Sequence, residues 1–386
     1  MESDIDRLIT AYKNRLISRR TFLSSLAAAA VAGYGTKGSI IKSASAAEVS
    51  ASSAVPPVTV QAINHMTLSV SDPAASLAWY QGLFGFPIAA RQGNTLVLQI
   101  GDGPQFMALG GASSDNPRIT HYCLAVDNFD DEPIVQILAE NGVAATGQSG
   151  LLQSRVRMRG EDSGGAPSGT PELYFQDPDG IVVQLQDSSY CGGAGLLGED
   201  CLATPEPAPT GGLLTVREYN HFTLFVEDQQ RAVQFYQNLF GLPIDTYQGA
   251  MPILRVGSGR EFLALAQVPP LAGRIHHASL NVDNFDVDRI FSLLEGYGLT
   301  VLGETGGASG PLQTYVAMRG PERGGAEGGT PELYFTDPDG ILLQLQDSSY
   351  CGGNGYLGEE CGTVENPTGR NSQAMLPNLD NQLLTG

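Results

Sequence analysis

The chain is an internal repeat, and this feature limits its possible folds more than any other. Residues 170–193 read TPELYFQDPDGIVVQLQDSSYCGG and residues 330–353 read TPELYFTDPDGILLQLQDSSYCGG, identical at 21 of 24 positions. Between the copies, segment 202–214 is rich in Pro, Gly and Thr, the composition of a linker. A duplication on this scale predicts two similar units in tandem, each with its own core.

Each copy divides again into a strand, a helix and further strands, used twice. In the first copy, alternating residues at 63–70 precede Asp72-Pro73, after which apolar residues recur at helical spacing as far as Gly85. The expected strands of this copy are at 63–70, 94–100, 105–109, 119–126, 154–159, 172–176 and 181–186, with a second helix near 131–141. The second copy repeats them at 219–226, 251–256, 261–266, 275–282, 313–319, 332–336 and 341–346, with helices at 228–240 and 286–297. Four strand-rich modules with one helix each predict an α+β fold.

The first 46 residues differ in charge from the rest of the chain. They carry seven basic and three acidic residues, a net charge of +4, whereas the remainder has 14 arginines, 38 acidic residues and no lysine, a net charge of -24. The sequence SRRTFL at 18–23 precedes an alanine-rich run, and ASA at 44–46 offers small residues for cleavage. This order resembles a twin-arginine export signal, the alternative being a cytoplasmic amphipathic helix. We therefore expect a signal peptide at 1–46, a linker at 47–59, and a mature protein that is periplasmic or extracellular.

The composition excludes several classes of function. With 42% hydrophobic and 8% aromatic residues, the chain is globular rather than disordered. A net charge of -20 argues against nucleic acid or an anionic membrane surface as a partner, since either requires clustered Lys and Arg. No apolar run approaches the roughly 20 residues that span a bilayer. The expected partner is a small-molecule substrate, and a homo-oligomer is possible.

Three motifs resemble those of the vicinal oxygen chelate superfamily, which includes glyoxalase I, bleomycin-resistance proteins and extradiol ring-cleaving dioxygenases. They are NHxTLxV early in each copy, SLAWYQGLFGFP or AVQFYQNLFGLP in its first helix, and DPDGIxxQLQ near its end. The resemblance covers residues 60–192 and 216–352, separated by a linker at 193–215 and followed by a polar tail at 353–386. It implies that paired βαβββ modules curl into a half-open barrel in each copy, with a divalent metal on the inner face.

The resemblance also implies a set of metal ligands. Carried over residue by residue, they fall on His65, His121 and Gln184 in the first copy and on His221, His277 and Gln344 in the second. The residues themselves support this assignment in part, because four of the five histidines lie at matching positions, 56 residues apart within each copy. Neutral imidazole is a common ligand of first-row metals. The alternative is that each histidine is a hydrogen-bonded core residue that has changed little since the duplication.

The third ligand departs from the family pattern. The family commonly has Glu four positions after the Gly of DPDG, where this chain has Gln184 and Gln344. An amide oxygen can coordinate, but it brings no charge, so a divalent ion should bind less tightly. Three protein ligands leave positions for water or for two substrate oxygens. The implied metal is Fe(II) or Mn(II), with Zn or Ni as alternatives.

Further candidates lie close to these ligands in the sequence. Tyr174 and Tyr334 match the active-site tyrosine of the family and could donate a proton; the alternative is core packing with a satisfied hydroxyl. Arg159 and Arg319, each in a Met-Arg-Gly motif, are candidates for binding an anionic substrate group, with an ion pair to a nearby acid as the alternative.

His276 is also a candidate catalytic residue. Strand alternation points it away from its neighbour His277, so we expect it behind the ligands or exposed. The acid/base histidine that precedes Leu-Tyr in extradiol enzymes is missing here, where the chain is glycine-rich.

Four of the five cysteines are spaced identically in the two copies. Cys191 and Cys201 are ten positions apart, as are Cys351 and Cys361, at the two ends of glycine-rich segments. In an exported protein this spacing predicts two local disulfides. A four-thiolate zinc site is the alternative. Cys123 remains single and is expected to be a small buried residue.

These observations favour an exported, metal-dependent enzyme of the extradiol type that acts on a small catechol-like aromatic. Two other functions remain open. One is a glyoxalase-like lyase or isomerase, in which the metal stabilises an enediolate. The other is a non-catalytic protein that binds a small molecule between the halves, as resistance proteins of this superfamily do. The sequence does not show which copy is active.

Overall fold

The computed structural model describes residues 56–145, 152–303 and 307–362. The predicted signal peptide and most of both the predicted N-terminal linker and the polar tail lie outside these residues. The elements follow the duplication, so that each copy is referred to below as the first or the second half.

The first half contains nine strands and two helices. The helices are α1 (Pro73–Phe84) and α2 (Asp131–Glu140). The strands are β1 (Val60–Ser69), β2 (Ile88–Gln92), β3 (Thr95–Gln99), β4 (Phe106–Leu109), β5 (Arg118–Val126), β6 (Val143–Ala145), β7 (Leu152–Arg159), β8 (Thr170–Gln176) and β9 (Val182–Asp187).

The second half repeats this order. Its helices are α3 (Gln229–Phe240) and α4 (Val287–Gly296). Its strands are β10 (Val216–Val226), β11 (Ile244–Gln248), β12 (Met251–Arg255), β13 (Phe262–Gln267), β14 (Arg274–Val282), β15 (Thr300–Val301), β16 (Gln313–Arg319), β17 (Thr330–Thr336) and β18 (Leu342–Asp347). Short 3-10 turns lie at Glu161–Ser163, Pro269–Leu271 and Pro321–Arg323.

Each half forms one curled nine-stranded sheet of identical topology. The strand orders are β2-β3-β4-β1-β5-β9-β8-β7-β6 and β11-β12-β13-β10-β14-β18-β17-β16-β15. The first strands of the two modules pair antiparallel at the centre, β1 with β5 and β10 with β14. In each module the last strand pairs parallel with the first, β4 with β1 and β9 with β5. The α+β prediction, with two tandem halves of paired βαβββ modules, is therefore confirmed.

The helices begin and end where the sequence predicts. Asp72 caps α1 by accepting hydrogen bonds from the amides of Ala74 and Ala75. Gly85 ends the helix in the left-handed region at φ 70°, which favours glycine because a β-carbon is crowded there. Asp228 and Gly241 perform the same two tasks for α3.

Four short strands were not predicted from the sequence. They are β2 and β11, at one edge of each sheet, and β6 and β15, at the other. β2 reads IAARQ and has an exposed arginine at its fourth position, so its pattern lacks the apolar alternation of a half-buried strand. Such strands form because the neighbouring strand offers unpaired backbone groups, which a local pattern does not record.

The two halves share an apolar core and hydrogen-bond to each other reciprocally. Tyr80 on α1 donates to Asp337 in the second DPDG turn over 2.9 Å, and Tyr236 on α3 donates to Asp177 in the first over 2.9 Å. Both aspartates are fully buried, and burial raises the pKa of each carboxyl to about 6. Each DPDG turn thus joins the halves as well as turning the chain.

No helix among the described residues is both long and apolar enough to cross a bilayer.

Candidate metal centre

A row of paired residues crosses each sheet and positions the candidate ligands. In the first half, hydrogen-bonded strand registers place Phe106 beside His65, Cys123 beside His65, Gln184 beside Cys123, and Tyr174 beside Gln184. Directly paired residues in a sheet project from the same face. The register of the sheet therefore brings a histidine from β1 and a glutamine from β9 to one face.

The three candidate ligands of the first half meet on that face. The Oε1 atom of Gln184 lies 3.1 Å from the Nε2 atom of His65 and 3.0 Å from the Nε2 atom of His121. His65 and Gln184 are buried, and His121 is half-buried. The fold thus brings His65 and Gln184, which are 119 positions apart in the sequence, into direct contact.

The other ring nitrogen of each histidine is held by a hydrogen-bond acceptor. Nδ1 of His65 lies 2.7 Å from Oδ1 of Asn64, whose amide nitrogen donates to the carbonyl of Tyr190 over 2.8 Å. Nδ1 of His121 lies 3.0 Å from the hydroxyl of Thr120, which itself donates to the carbonyl of Thr67. A proton on Nδ1 satisfies both of these acceptors and presents an unprotonated Nε2, which is the tautomer that suits metal binding.

This arrangement fits a metal ion. Two Nε2 lone pairs and one amide oxygen face each other, which is unfavourable unless a cation lies among them or the amide of Gln184 turns its NH2 inward. In the placement observed, Nε2 of Gln184 has no hydrogen-bond partner in the described part of the chain. Burial lowers the pKa of His121 to about 4 and that of His65 well below its usual value, so both are neutral, the form that binds metals.

The second half has the same row with a looser arrangement. Nε2 of His221 lies 3.2 Å from Nε2 of His277, and Nδ1 of His221 lies 2.6 Å from Oδ1 of Asn220. Burial lowers the pKa values of both imidazoles, that of His221 to about 3. Gln344 lies beside both rings and partly offsets this lowering. Neither amide atom of Gln344 makes a hydrogen bond of good geometry within the described residues. A buried, unpartnered carboxamide next to two neutral imidazoles is a combination of donors that fits a metal ion.

His276 orients His277 rather than lying apart from it. Their Nδ1 atoms are 2.8 Å apart, and the His276 ring stacks on Phe225 at 4.4 Å between centroids. In the first half Thr120 occupies the equivalent position and bonds the equivalent nitrogen of His121. His276 is thus placed directly behind His277, and burial lowers its pKa to about 4. Its predicted role in catalysis stays a prediction.

Both candidate tyrosines lie at the centre and contact a buried glutamate. The rings of Tyr174 and Tyr334 meet His121 and His277 edge-on at 5.3 Å. The hydroxyl of Tyr174 donates to Glu172 over 3.1 Å, and that of Tyr334 donates to Glu332 over 3.3 Å. Burial, followed by the neighbouring carboxylate, raises the pKa of Tyr334 well above its usual value, so the hydroxyl remains a proton donor.

The two candidate substrate arginines are fully engaged with the protein, which corrects the substrate-binding prediction. Arg159 is buried and donates from Nε to Glu172 over 2.7 Å, with its other two nitrogens bonded to the carbonyls of Gly164 and Gly193. Arg319 makes the equivalent contacts, with Glu332 as its ion-pair partner at 2.7 Å. Both guanidinium groups are buried and each nitrogen donates to a partner within the protein, so a substrate cannot reach them. The ion-pair alternative is the arrangement found.

Both predicted cysteine pairs form disulfides, Cys191–Cys201 and Cys351–Cys361. Each disulfide follows a tyrosine, Tyr190 or Tyr350. The ring of this tyrosine stacks on the first histidine of its half, His65 or His221. Its backbone carbonyl accepts a hydrogen bond from the asparagine that precedes that histidine. The disulfide loops therefore support the candidate centre directly. Cys123 is buried and free, as expected.

A pocket opens at the centre of the second half. It has a volume of about 60 Å³, and its walls include His221, His277, Gln344, Tyr334, Glu332 and Arg323. Arg323 forms no ion pair in the described part of the chain, and its charge is close enough to lower the pKa of Tyr334 in part. The equivalent residue of the first half is Ser163.

Sequence reasoning missed the residues that hold the ligands in place. Asn64 and Asn220 precede the first histidine in both copies, which was an available signal. Glu172 and Glu332 gave none, because a glutamate in a strand is typical of an exposed face. Within the described residues no group of three His, Cys, Asp or Glu side chains could hold a metal, since the third donor in each half is an amide.

Comparisons with known proteins agree with the fold. The model of the glyoxalase/bleomycin resistance protein/dioxygenase superfamily matches residues 62–185 and 218–345. Glutathione transferase FosA from Serratia marcescens is 31% identical over 134 residues, covering 34% of this chain and 83% of FosA.

Two solved structures show a similar fold. The Mn(II)-bound glyoxalase from Novosphingobium aromaticivorans has a TM-score of 0.50 and 17% identity, covering 75% of this chain and 82% of its own. A catechol 2,3-dioxygenase has a TM-score of 0.51 and 15% identity, covering 80% of this chain and 97% of its own.

Proposed function

The chain belongs to the glyoxalase/bleomycin resistance protein/dioxygenase superfamily, and from that premise we propose that it is a metal-dependent enzyme acting on a small substrate with two adjacent oxygens. The reaction is of the extradiol dioxygenase type, on a catechol-like aromatic. The observation that carries the proposal is the pocket at His221, His277 and Gln344, with Tyr334 at its wall.

The donor set supports a divalent metal held by His221, His277 and Gln344, and by His65, His121 and Gln184 in the first half. A metal there would act as a Lewis acid that polarises two vicinal oxygens of a substrate and lowers the pKa of its hydroxyl. Fe(II) or Mn(II) suits a mixed nitrogen and oxygen site, and the Mn(II)-bound glyoxalase provides a precedent within the fold. Zn and Ni are the alternatives.

The residues of the second half have separate tasks in this proposal. Tyr334 keeps its proton, which it donates to Glu332, so its hydroxyl oxygen is free to accept a hydrogen bond from a substrate hydroxyl. Glu332, held by Arg319 and lining the pocket, accepts from that tyrosine and fixes its direction. Arg323 provides a positive charge at the wall. Phe262, stacked on His221 at 4.2 Å between centroids, excludes water from the ligand side.

The second half is proposed as the reacting half. Its Gln344 is unpartnered beside a pocket, whereas in the first half the Gln184 oxygen already contacts both imidazoles. The first half is proposed to hold a metal with a mainly structural effect.

Metal analysis and oxygen uptake test the proposal. The mature protein should contain iron or manganese, and replacement of His221 by Ala should remove metal from the second half and abolish oxygen consumption with a panel of catechols. Replacement of His65 by Ala is the matched control and should leave oxygen consumption largely intact. A protein without metal that binds its ligand normally would instead indicate a non-catalytic binding protein.

A glyoxalase-like isomerase is the second candidate, favoured by Glu332. A carboxylate in the wall of the pocket suits abstraction of a proton next to a carbonyl, a step that the extradiol reaction does not need. Zinc or nickel in the purified protein, with no oxygen uptake, would favour this reaction. Exchange of a substrate C–H proton with deuterated water, lost in Glu332→Gln, would identify it.

Export is proposed separately, from the two disulfides and the leader sequence. The measurement is the N-terminal sequence of protein recovered from the periplasm or medium, expected to begin just after the ASA sequence at 44–46. Replacement of the arginines at 19 and 20 by Lys should retain the protein in the cytoplasm.

A further inference from the structure

A second and larger cavity lies where the two halves meet, outside the candidate metal centre. Its volume is about 690 Å³, against about 60 Å³ for the pocket at His221. Small-molecule sites commonly occupy about 300–1,000 Å³. The cavity is therefore large enough for a whole ligand.

The cavity is built from equivalent positions of both halves. The start of β5 contributes Arg118 and Ile119, and the start of β14 contributes Arg274 and Ile275. Ile181 and Ile341, which follow the two DPDG turns, also face it. The duplication thus places two arginines and four isoleucines around one space.

The two arginines give this space a positive rim. Both side chains are exposed, and neither forms an ion pair in the described part of the chain. Arg118 donates only to the carbonyl of Asn116. The one carboxylate in the lining, Asp339, accepts hydrogen bonds from the amide and hydroxyl of Ser71. The chain has a net charge of -20, so two unpaired arginines at one cavity make the charge there locally positive, opposite to that of the chain as a whole.

The remaining walls contain both apolar and polar side chains and continue towards the metal centre. Phe225 and Leu271 join the four isoleucines. Phe225, His276 and Tyr315 line both the cavity and the pocket at His221. The cavity therefore combines a cluster of apolar side chains with two exposed arginines.

We propose that this cavity binds an organic acid with an apolar body, its carboxylate held by Arg118 and Arg274. Arginine suits this task because its planar guanidinium donates two parallel hydrogen bonds to a carboxylate. The isoleucines and Phe225 cover the apolar body. This site needs no metal and no reaction, so it stands or falls independently of the proposed activity.

The test is calorimetric titration of the mature protein with 3-phenylpropionate, and with 3-phenylpropan-1-ol as its uncharged analogue. The acid should bind at least about tenfold more tightly than the alcohol, the scale expected for one charge-assisted interaction. Its affinity should fall as salt is raised, because the arginines are exposed. In the variant Arg118→Gln/Arg274→Gln the preference for the acid should disappear.

Two control variants separate this site from others. Arg91→Gln/Arg217→Gln also removes one exposed arginine from each half, but neither lines the cavity, so the affinity for the acid should be unchanged. His221→Ala should likewise leave it unchanged. Equal binding of acid and alcohol, loss of binding in His221→Ala, or no saturable binding at millimolar acid would each overturn the proposal.

Discussion

The carboxamide of Asn220 lies 2.6 Å from Nδ1 of His221 and directs the opposite ring nitrogen towards His277. The asparagine is itself fixed, since its NH2 donates to the carbonyl of Tyr350 and to Asn281. The same pair, Asn64 and His65, recurs in the first half. A residue that sets the tautomer of a metal-binding histidine acts on the metal without touching it.

Replacement of Asn220 by Ala should therefore weaken metal binding. Outer groups of this kind commonly contribute about 10- to 100-fold to metal affinity. Competition titration with a fluorescent chelator measures the affinity of each half, when His65→Ala is used as the background to remove the first site. Asn220→Asp, which keeps the acceptor, should restore most of the affinity. Equal affinities of Asn220→Ala and Asn281→Ala would contradict a specific role for the Asn220 acceptor.

Replacement of Gln344 by Glu should strengthen metal binding and destabilise the metal-free protein. A carboxylate adds a negative charge to the ligand set, which favours a divalent ion. Without metal the same charge is buried and unpaired, which costs free energy of folding. The two effects have opposite signs, so thermal unfolding with and without metal separates them. The expected result is a larger gain in melting temperature on metal addition than in the wild type; an equal gain would show that Gln344 is not a ligand.

Loss of the Cys351–Cys361 disulfide should affect both stability and the metal. A ten-residue separation corresponds to about 3 kcal/mol of loop-closure stabilisation. Tyr350, which precedes Cys351, supplies the carbonyl that fixes Asn220, so a looser loop should also lower metal affinity. The variant Cys351→Ser/Cys361→Ser is compared with Cys191→Ser/Cys201→Ser by denaturant unfolding and metal titration. Reduced affinity in the second half only is expected for the first variant, and unchanged affinity in both halves would argue against the coupling.

Much of this arrangement could be predicted from the sequence because the duplication repeats its spacing. Histidines 56 positions apart in both copies, with a glutamine after each DPDG turn, indicated that these side chains share a face. The sheet register confirms that His65, Cys123 and Gln184 lie in one row. The alternation of apolar and polar residues also predicted the positions of the long strands.

Other features depend on contacts between distant segments and had no local signal. The buried Glu172 is tolerated because Arg159, on a neighbouring strand, and two tyrosines surround it. The same arginine was predicted to contact a substrate, because a sequence does not show which partner a guanidinium finds. The reciprocal hydrogen bonds of Tyr80 and Tyr236 depend on how the halves pack, which neither copy encodes by itself.

The buried histidines predict how stability changes with pH. Burial lowers the pKa of His221 to about 3 and that of His121 to about 4 in the folded protein, whereas an unfolded histidine titrates near 6.5. Below about pH 6.5 the unfolded chain takes up protons that the folded chain does not, so metal-free protein loses stability as the pH falls. Each such histidine contributes up to about 1.4 kcal/mol per pH unit in that window.

Urea unfolding of the metal-free wild type and of His221→Asn measures this contribution between about pH 8.5 and about pH 4.5, a range of about two units on either side of the unfolded histidine pKa. Above about pH 7 the two curves of unfolding free energy should run parallel, because the histidine is neutral in both states. Below that pH the wild-type curve should fall more steeply than that of the variant. Curves that stay parallel throughout would mean that His221 accepts a proton in the folded protein, and thus that its Nε2 is not reserved for a metal.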